Sequence, residues 1–467
     1  MNFTHYKIAE YTGGKIINDM DSPIVISDFC IDSRNASKGD LFVALPGDRT
    51  DGHYFIKDAF EKGAAACIAE RGKFHLGELK PGQVVIEVPN TLDALKVLAR
   101  RHREQYDVSV IGITGSVGKT TTKEMVAKVL SAKYRVLKTE GNLNTDIGLP
   151  LTLLKLDRDH DVVVLEMAMR HLGEISELCD IALPGIGVIT NVAESHLETL
   201  KTMDNIAKAK GEILQGLLED GIGVINGDDE RVNRLEYKAP GEVFKFGLSE
   251  NVNLQAKKIR PCSHIVECAV VYKDTTGEIG ENLSLNIPGR HNLTNALAAL
   301  LVGIVMGVSL SKGVKSLADF YPTEMRNQIF TGKDDITIIN DTYNANVKST
   351  RAALDILSDV ASKRKIAVLG DMYELGEYRE RAHKEIGQYA AEKGIDFLMT
   401  IGENAELIKE GAKESGLKDD KIKVFKDKRN LIISLQKLIG SEDTVLVKGS
   451  RGMALEEIVY AIIDENG

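Results

Sequence analysis

The stretch TGSVGKTT, Thr114 to Thr121, lies between the apolar run VSVIGI and the helix-like segment KEMVAKVLSAKY, and it constrains this chain more than any other feature. A strand that turns through glycines into a helix points several backbone N–H groups at one spot, where the helix's positive end favours an anion. The segment reads as a phosphate-binding loop, with the amides of Thr114, Gly115, Ser116, Val117, Gly118 and Thr121 around the phosphates. Lys119 would meet the β- and γ-phosphates and the Thr120 hydroxyl a Mg²⁺ ion. The general pattern G-x-x-x-x-G-K-[ST] asks for glycine where this chain has Ile113; its glycines are Gly112, Gly115 and Gly118. A glycine-rich turn that binds nothing is the alternative, and the order strand, loop, lysine, hydroxyl, helix weighs against it.

At 467 residues the chain is long enough for two to four domains at ~100–200 residues each, and three are expected. Hydrophobic residues at 43% and charged residues at 27% fit a soluble globular protein. A net charge of −10 argues against non-specific binding to nucleic acid or to an anionic membrane. Cys30, Cys67, Cys179, Cys262 and Cys268 are scattered without metal-binding spacing and read as thiols of a reducing cytoplasm. The N-terminal segment lacks the basic-then-apolar order of a signal peptide. The longest apolar run, Ala296 to Leu310, falls short of the ~20 residues of a membrane span and reads as a buried helix.

Residues 1–107 mix short strands and helices around a segment dense in Asp, Gly, Ser and Arg. Ser33, Arg34, Asp51 and His53 there could hold a polar ligand or could simply build turns. Residues 108–318 begin with the phosphate loop and continue through the strand-like runs YRVL, DVVVLEM, GIGVITNV and GIGVIN, separated by helical stretches. Such alternation indicates a doubly wound, mostly parallel sheet whose ligands sit beyond the carboxyl ends of its strands. Glu166 and His196 follow two of those ends. Residues 243–288 read as a β-rich insert. Asn292 and Asn295, three apart, share one helix face, where they could read a base edge or cap the helix. Gly221-Ile-Gly223 lacks the third glycine of a dinucleotide fingerprint and is set aside. Residues 319–467 repeat the alternation in ITIIND, KIAVLGDM, DFLMTIG and TVLVKGS, a second open sheet without a phosphate loop. Polar residues follow its strands: Asp341, Tyr343, Asn344 and Asn346; Asp371; Lys448, Ser450 and Arg451.

With these residues in hand, the chain resembles the Mur ligase family, ATP-dependent amide-bond-forming enzymes of peptidoglycan precursor synthesis. TGSVGKTT is similar to that family's T-G-[TS]-x-G-K-[TS], which lacks a glycine at the position of Ile113. HNLTNALAA is similar to its adenine-binding segment, which implies that Asn292 and Asn295 contact the base. Arg326 and Asp341 match the arginine and aspartate by which its C-terminal domain reaches the ATP phosphates and ribose. GDLFVALPG, TDGHYFI, GNLNTDIGLPLTLL, AKAKGEI, DTYNAN and GDMYELG look most like the members that join D-alanyl-D-alanine to UDP-N-acetylmuramoyl-tripeptide. Val347 departs from the proline of DxYNANP, and no DNPR segment of the diaminopimelate-adding type occurs.

The resemblance implies that Ser33, Arg34, Asp51 and His53 serve the UDP-linked peptide. It likewise places Asn142, Asn144 and Thr145 on substrate, and Tyr343, Asn344, Lys448, Ser450 and Arg451 on the incoming amine. It further implies that Lys210 is carbamylated, the anionic product suiting Mg²⁺. One metal would use Thr120 and Glu166, and a second His196 and modified Lys210; with Lys119 these are the expected catalytic residues. ATP would phosphorylate a substrate carboxylate to an acyl phosphate that the D-alanyl-D-alanine amine attacks. The expected protein is a cytoplasmic monomer with hinges near 107 and 320. Two readings stay open beside it: another ligase of the same type, including the folylpolyglutamate-forming one, and a P-loop ATPase or switch. No N-K-x-D guanine motif occurs.

Overall fold

Strand-forming runs rich in Val and Ile alternate with amphipathic helices, and among the described residues they assemble into three large successive sheets and one short antiparallel pair, Phe3–Thr4 with Val25–Ile26. The computed structural model describes residues 3–47, 49–74, 79–261, 265–332, 335–360 and 362–466; Cys262 lies outside them. The first sheet has the order Lys15–Ile17, Val84–Val88, Ala66–Glu70, Leu41–Val43, Phe29–Cys30, parallel except at its first strand. Alternate residues of each strand point to opposite faces. Leu41, Val43, Ile68 and Ile86 therefore pack with the helix Thr91–Arg103, while Phe42, Cys67 and Val85 pack with the helix Ile56–Glu61.

The second sheet has nine strands, with Ser109–Thr114 flanked by Val162–Glu166 on one side and Ile186–Ile189 on the other. Val136–Lys138 is one edge; Ile222–Asn226 and Val243–Gly247 continue the other side, all parallel. The chain leaves Ser109–Thr114 towards one edge and Ile186–Ile189 towards the other. That divergence opens a crevice between their carboxyl ends, the usual place for a ligand. Residues 243–288, expected as an insert, instead extend this sheet: Leu254–Pro261 adds parallel, then Val266–Asp274 and Gly277–Leu285 add antiparallel as a hairpin. The helix Arg290–Val305 is apolar nearly all round because it lies between sheet and neighbouring helices, with Asn295 to Gly303 buried.

The third sheet has the order Gln328–Thr331, Thr337–Asp341, Thr444–Lys448, Lys365–Gly370, Phe397–Ile401, Ile422–Phe425, parallel except at its first strand. Asp341 and Lys448 are cross-strand partners at the carboxyl ends.

The two expected junctions differ. Near 107 the chain is tied down: His102 Nε2 lies 2.8 Å from the Leu156 carbonyl, and the buried Arg103 guanidinium donates to the carbonyls of Ala182, Tyr106 and Val108 at 2.9–3.2 Å. One apolar cluster runs from the first sheet through Leu95 and Leu98 to Leu149, Leu153 and Ile175 of the second. A hinge there would have to part a packed core, which is costly. Among the described residues the junction near 320 carries no such shared core, since the third sheet packs within its own two clusters.

Candidate active site

Each glycine of the phosphate loop stands where a side chain would collide. Gly115 (φ +152) and Gly118 (φ +88) lie in the region that favours glycine; an added Cβ would come 1.9 Å from Thr190 Oγ1 at the first and 2.4 Å from Asn295 Oδ1 at the second. Gly118 starts the helix Lys119–Leu130, so the loop amides converge at a helix N-terminus. The loop is held by the residues after Ile186–Ile189. Thr190 Oγ1 donates to the Val117 carbonyl (2.7 Å), as does Asn191 Nδ2 (2.9 Å), while Asn191 Oδ1 accepts from Val117 N (3.0 Å). Ser116 N donates to the Asn191 carbonyl, and Ser116 Oγ to that of Ala193, at 3.0 Å each. Sequence reasoning missed Thr190 and Asn191; their signal was TN at the end of the run GVITNV.

Glu166 ends the strand beside the loop. Thr120 Oγ1 donates to its Oε2 and Asn144 Nδ2 to its Oε1, both at 2.8 Å. The buried carboxylate is thus aimed by a hydroxyl and an amide at the mouth of the loop. Lys119 Nζ reaches back to the Gly115 carbonyl at 2.8 Å, and burial lowers its pKa. Lys210, on the helix Met203–Gln215, is fully buried; desolvation, with help from the Lys119 charge, drives its amine well below the usual lysine range. No hydrogen bond or ion pair reaches that amine among the described residues.

The third sheet's unit closes over this edge. Arg326 lies between two residues in the left-handed region, Met325 (φ 58) and Asn327 (φ 51), with its guanidinium 3.9 Å from the centre of the Tyr343 ring. Its charge is felt at Lys119. Asp341 pairs with the buried Lys448 and accepts from Asn327 N at 3.2 Å. Lys448 also donates to the Asn344 carbonyl at 2.9 Å, and Ser450 Oγ accepts from Tyr373 N at 2.9 Å. These two side chains organise their own loops. Arg451 is half-exposed and paired with Glu456 (2.6 Å). Asp371 accepts from Glu403 N and Asn404 N, in the turn that leads into the helix Ala405–Glu414.

His196 has a partner that the sequence did not suggest. Its Nδ1 lies 2.6 Å from Glu374 Oε2 of the third unit, and the imidazole beside it holds the Glu374 carboxyl below its usual range. A cleft of about 390 Å³ is lined by Val117, Asn226, His291 and Asn295 of the second unit and by Lys348 and Ala352 of the third. Asn292 donates to the Pro288 carbonyl (2.7 Å) and accepts from Asn295 Nδ2 (3.3 Å), which leaves the Asn295 oxygen towards Gly118. Desolvation pushes His291 down to about 4.

The N-terminal candidates are not gathered with these residues. Arg34 pairs with Asp32 (2.7 Å) on the surface, and Ser33 is buried in the same turn. Both nitrogens of His53 are committed: Nδ1 to Asp51 (2.5 Å) and Nε2 to the N–H of Glu70 (2.9 Å). Their joint role is to shape the loop. Asn142 and Thr145 are exposed on the same loop as Asn144. Among the described residues, no three His, Cys, Asp or Glu side chains cluster as a metal site. No described helix is long and apolar enough to cross a membrane.

Family models match along the chain: "Mur ligase family, catalytic domain" over residues 26–103, "Mur ligase middle domain" over 113–303 and "Mur ligase, glutamate ligase domain" over 325–451. The chain is 36% identical to the UDP-N-acetylmuramoyl-tripeptide--D-alanyl-D-alanine ligase of Bacillus subtilis, over 98% of this chain and 97% of that one. It is similar to the crystal structure of MurF from Acinetobacter baumannii, with a TM-score of 0.90 and 30% identity over 99% of each chain. It is also similar to the MurF ligase of Thermotoga maritima in complex with ADP, with a TM-score of 0.82 and 31% identity over 94% of this chain and 97% of that one. A phosphate loop braced by a second loop, an aimed carboxylate and a buried unpaired lysine thus occur in a chain matched from its first sheet to its last, and the chain belongs to the Mur ligase family.

Proposed function

We propose that the chain joins D-alanyl-D-alanine to UDP-N-acetylmuramoyl-tripeptide, forming the pentapeptide precursor of peptidoglycan with ADP and phosphate. The observation that carries this reading is its 36% identity, across nearly both whole chains, to a ligase of that name. In this reading residues 1–107 hold the UDP-linked peptide, 108–318 ATP and 319–467 the incoming amine. The protein works in the cytoplasm as a monomer.

A carboxylate oxygen is a poor leaving group, so ATP first phosphorylates the tripeptide's terminal carboxylate. The loop amides and Lys119 hold the β- and γ-phosphates, and Arg326, presented by its strained turn and stacked on Tyr343, adds positive charge from the other side. Asn295 and His291 line the cleft assigned to the base. The amine of D-alanyl-D-alanine then attacks the acyl carbon, forming the C–N bond as the C–O bond to phosphate breaks and the amine loses its proton. Packing of the third unit over the loop excludes the water that would hydrolyse the acyl phosphate.

The donor set fits Mg²⁺. Thr120 and Glu166 offer hard oxygens at one place, and burial disfavours the charged form of the unpartnered Lys210 amine, whose neutral form is the one that adds CO₂ to give a carbamate and a proton. When bound, Mg²⁺ offsets the phosphate charge that would repel an anionic carboxylate. The test is phosphate release with each substrate omitted in turn. Dependence on both the UDP-linked tripeptide and D-alanyl-D-alanine is expected; release without either would turn the reading towards an ATPase. Lys119→Ala should abolish turnover while leaving the fold intact.

A further inference from the structure

We propose that Lys123 and Thr139 are positioning residues for Glu166: the buried lysine takes the Thr139 carbonyl out of the sheet ladder, so that the Thr139 hydroxyl receives the Glu166 N–H and the loop beyond it sets Asn144 on the Glu166 carboxylate. The proposal rests on the preceding section only in taking Glu166 to serve the phosphate and metal site.

Val136–Lys138 is an edge of the second sheet and pairs in parallel with Val162, Val163 and Val164. Thr139, fully buried, adds one more step to that ladder by donating its N–H to the Val164 carbonyl at 3.0 Å. A regular parallel ladder would then give the Glu166 N–H to the Thr139 carbonyl. Instead the Glu166 N–H donates to Thr139 Oγ1 at 3.0 Å, and the carbonyl accepts from Lys123 Nζ at 2.5 Å. The ladder ends there and the chain turns into the loop of Asn144. Asn144 Nδ2 donates to Glu166 Oε1 at 2.8 Å, and the Asn144 carbonyl accepts from Ala168 N at 2.9 Å. Glu166 is thus held by this loop at its N–H and at one carboxylate oxygen, and by Thr120 at the other.

Lys123 lies on the same helix as Lys119 and Thr120 but has a different task. It is 1% exposed, and its amine is committed to the Thr139 carbonyl and to Glu124 at 2.8 Å. Glu124 is shared with Lys138, the residue before Thr139, at 2.5 Å. Burying an ammonium group is costly unless it is paired, and for packing alone an apolar side chain of similar volume is often no worse. What the lysine adds is a fixed distance between the helix that carries Thr120 and the loop that carries Asn144, the two elements whose side chains aim the carboxylate. Without that tie the Thr139 carbonyl is free to rejoin the ladder, and the hydroxyl and the loop lose their places.

The test uses the full chain with ADP and Mn²⁺ as probes and no peptide substrate, in wild type, Lys123→Met, Thr139→Val, Thr139→Ser and the double variant Lys123→Met, Thr139→Val. Lys123→Met leaves Glu124 its Lys138, and Thr139→Val keeps the shape without the acceptor. Hydrogen exchange at the Glu166 amide, referred to that of Val164 on the same strand, should speed up in Lys123→Met and Thr139→Val and stay slow in Thr139→Ser. Mn²⁺ binding in the presence of ADP should weaken about 10–100-fold in the first two and recover in the serine variant, the range for loss of a group that orients a ligand. ADP binding without metal should hold within about twofold, and the double variant should lose no more than the worse single one, since both cut one link. Should Lys123→Met fail to fold, the valine and serine pair decides alone. An unchanged Glu166 amide in Thr139→Val would overturn the proposal, as would additive losses in the double variant, a serine variant no better than the valine one, or metal-free ADP binding lost as much as Mn²⁺. A wild type that bound ADP but no Mn²⁺ would sink the metal reading instead, and the amide exchange would still decide the positioning.

Discussion

Lys448→Met tests whether the third sheet is organised around a buried charge pair. Lys448 is 2% exposed and Asp341 7%, and they meet as cross-strand partners at the carboxyl ends of neighbouring strands. The amine donates to the Asp341 carboxylate and to the Asn344 carbonyl at 2.9 Å. Methionine keeps most of the volume but none of the donors. Asp341 would retain only the Asn327 N–H at 3.2 Å, and the Asn344 carbonyl would lose its lysine. Breaking one side of a buried pair costs about 3–5 kcal/mol, because the surviving charge is uncompensated. The double variant Asp341→Asn, Lys448→Met removes that charge, and its amide oxygen can still accept from Asn327. It should return to within ~1–2 kcal/mol of wild type. Since the chain has no tryptophan, the assay is hydrogen exchange at Ile338–Asn340 and Val445–Val447 together with a urea transition followed by circular dichroism. A single variant within ~1 kcal/mol of wild type, or a double variant no better than the single, would refute the reasoning.

Lys210→Met should stabilise the fold in CO₂-free buffer. The folded site lowers the pKa of this amine, so wild type excludes a proton that the unfolded chain holds below ~10.4, and wild-type stability rises with pH through that window. The variant's advantage is therefore largest at neutral pH and fades as pH approaches ~10.4; an advantage that grew with pH would contradict the assignment. In turnover, Lys210→Ala should lose activity and regain part of it with a short carboxylate in the buffer, whereas full activity without rescue would remove the lysine from the metal site. Gly118→Ala places a Cβ 2.4 Å from Asn295 Oδ1 at φ +88, a combination worth ~2–4 kcal/mol of strain and overpacking, and ADP binding by calorimetry should weaken by at least ~30-fold. Arg103→Met leaves the carbonyls of Ala182, Tyr106 and Val108 without their shared donor and should lower the unfolding midpoint; an unchanged midpoint would reopen the junction near 107 as a hinge.

What could be read from the sequence follows from how local each signal is. TGSVGKTT, the Val-rich runs and the helix that carries HNLTN are short-range patterns, and each forms the element expected. Glu166 and Thr120 were legible because both follow from strand and loop position, and the structure joins them at 2.8 Å. Residues 243–288 were harder: whether such strands form an insert or extend a sheet depends on register with Ile222–Asn226, which lies outside the segment itself. Glu374 was illegible because it meets His196 across units, 178 residues away in a loop whose local pattern says only turn. The shared core at Leu95, Leu98 and Leu149 was missed for the same reason, since an apolar helix face does not say which sheet it covers. His53 shows a different limit: both its ring nitrogens meet Asp51 and the N–H of Glu70, partners that its residue type and loop do not announce.

The central claim is that the loop around Lys119 serves to phosphorylate a carboxylate. It is tested most directly by labelling the tripeptide's terminal carboxylate with ¹⁸O and following the oxygen during turnover with ATP and D-alanyl-D-alanine. If the acyl phosphate forms, each phosphate released carries one oxygen from the peptide. Phosphate that appears at the rate of product but without label would contradict the account.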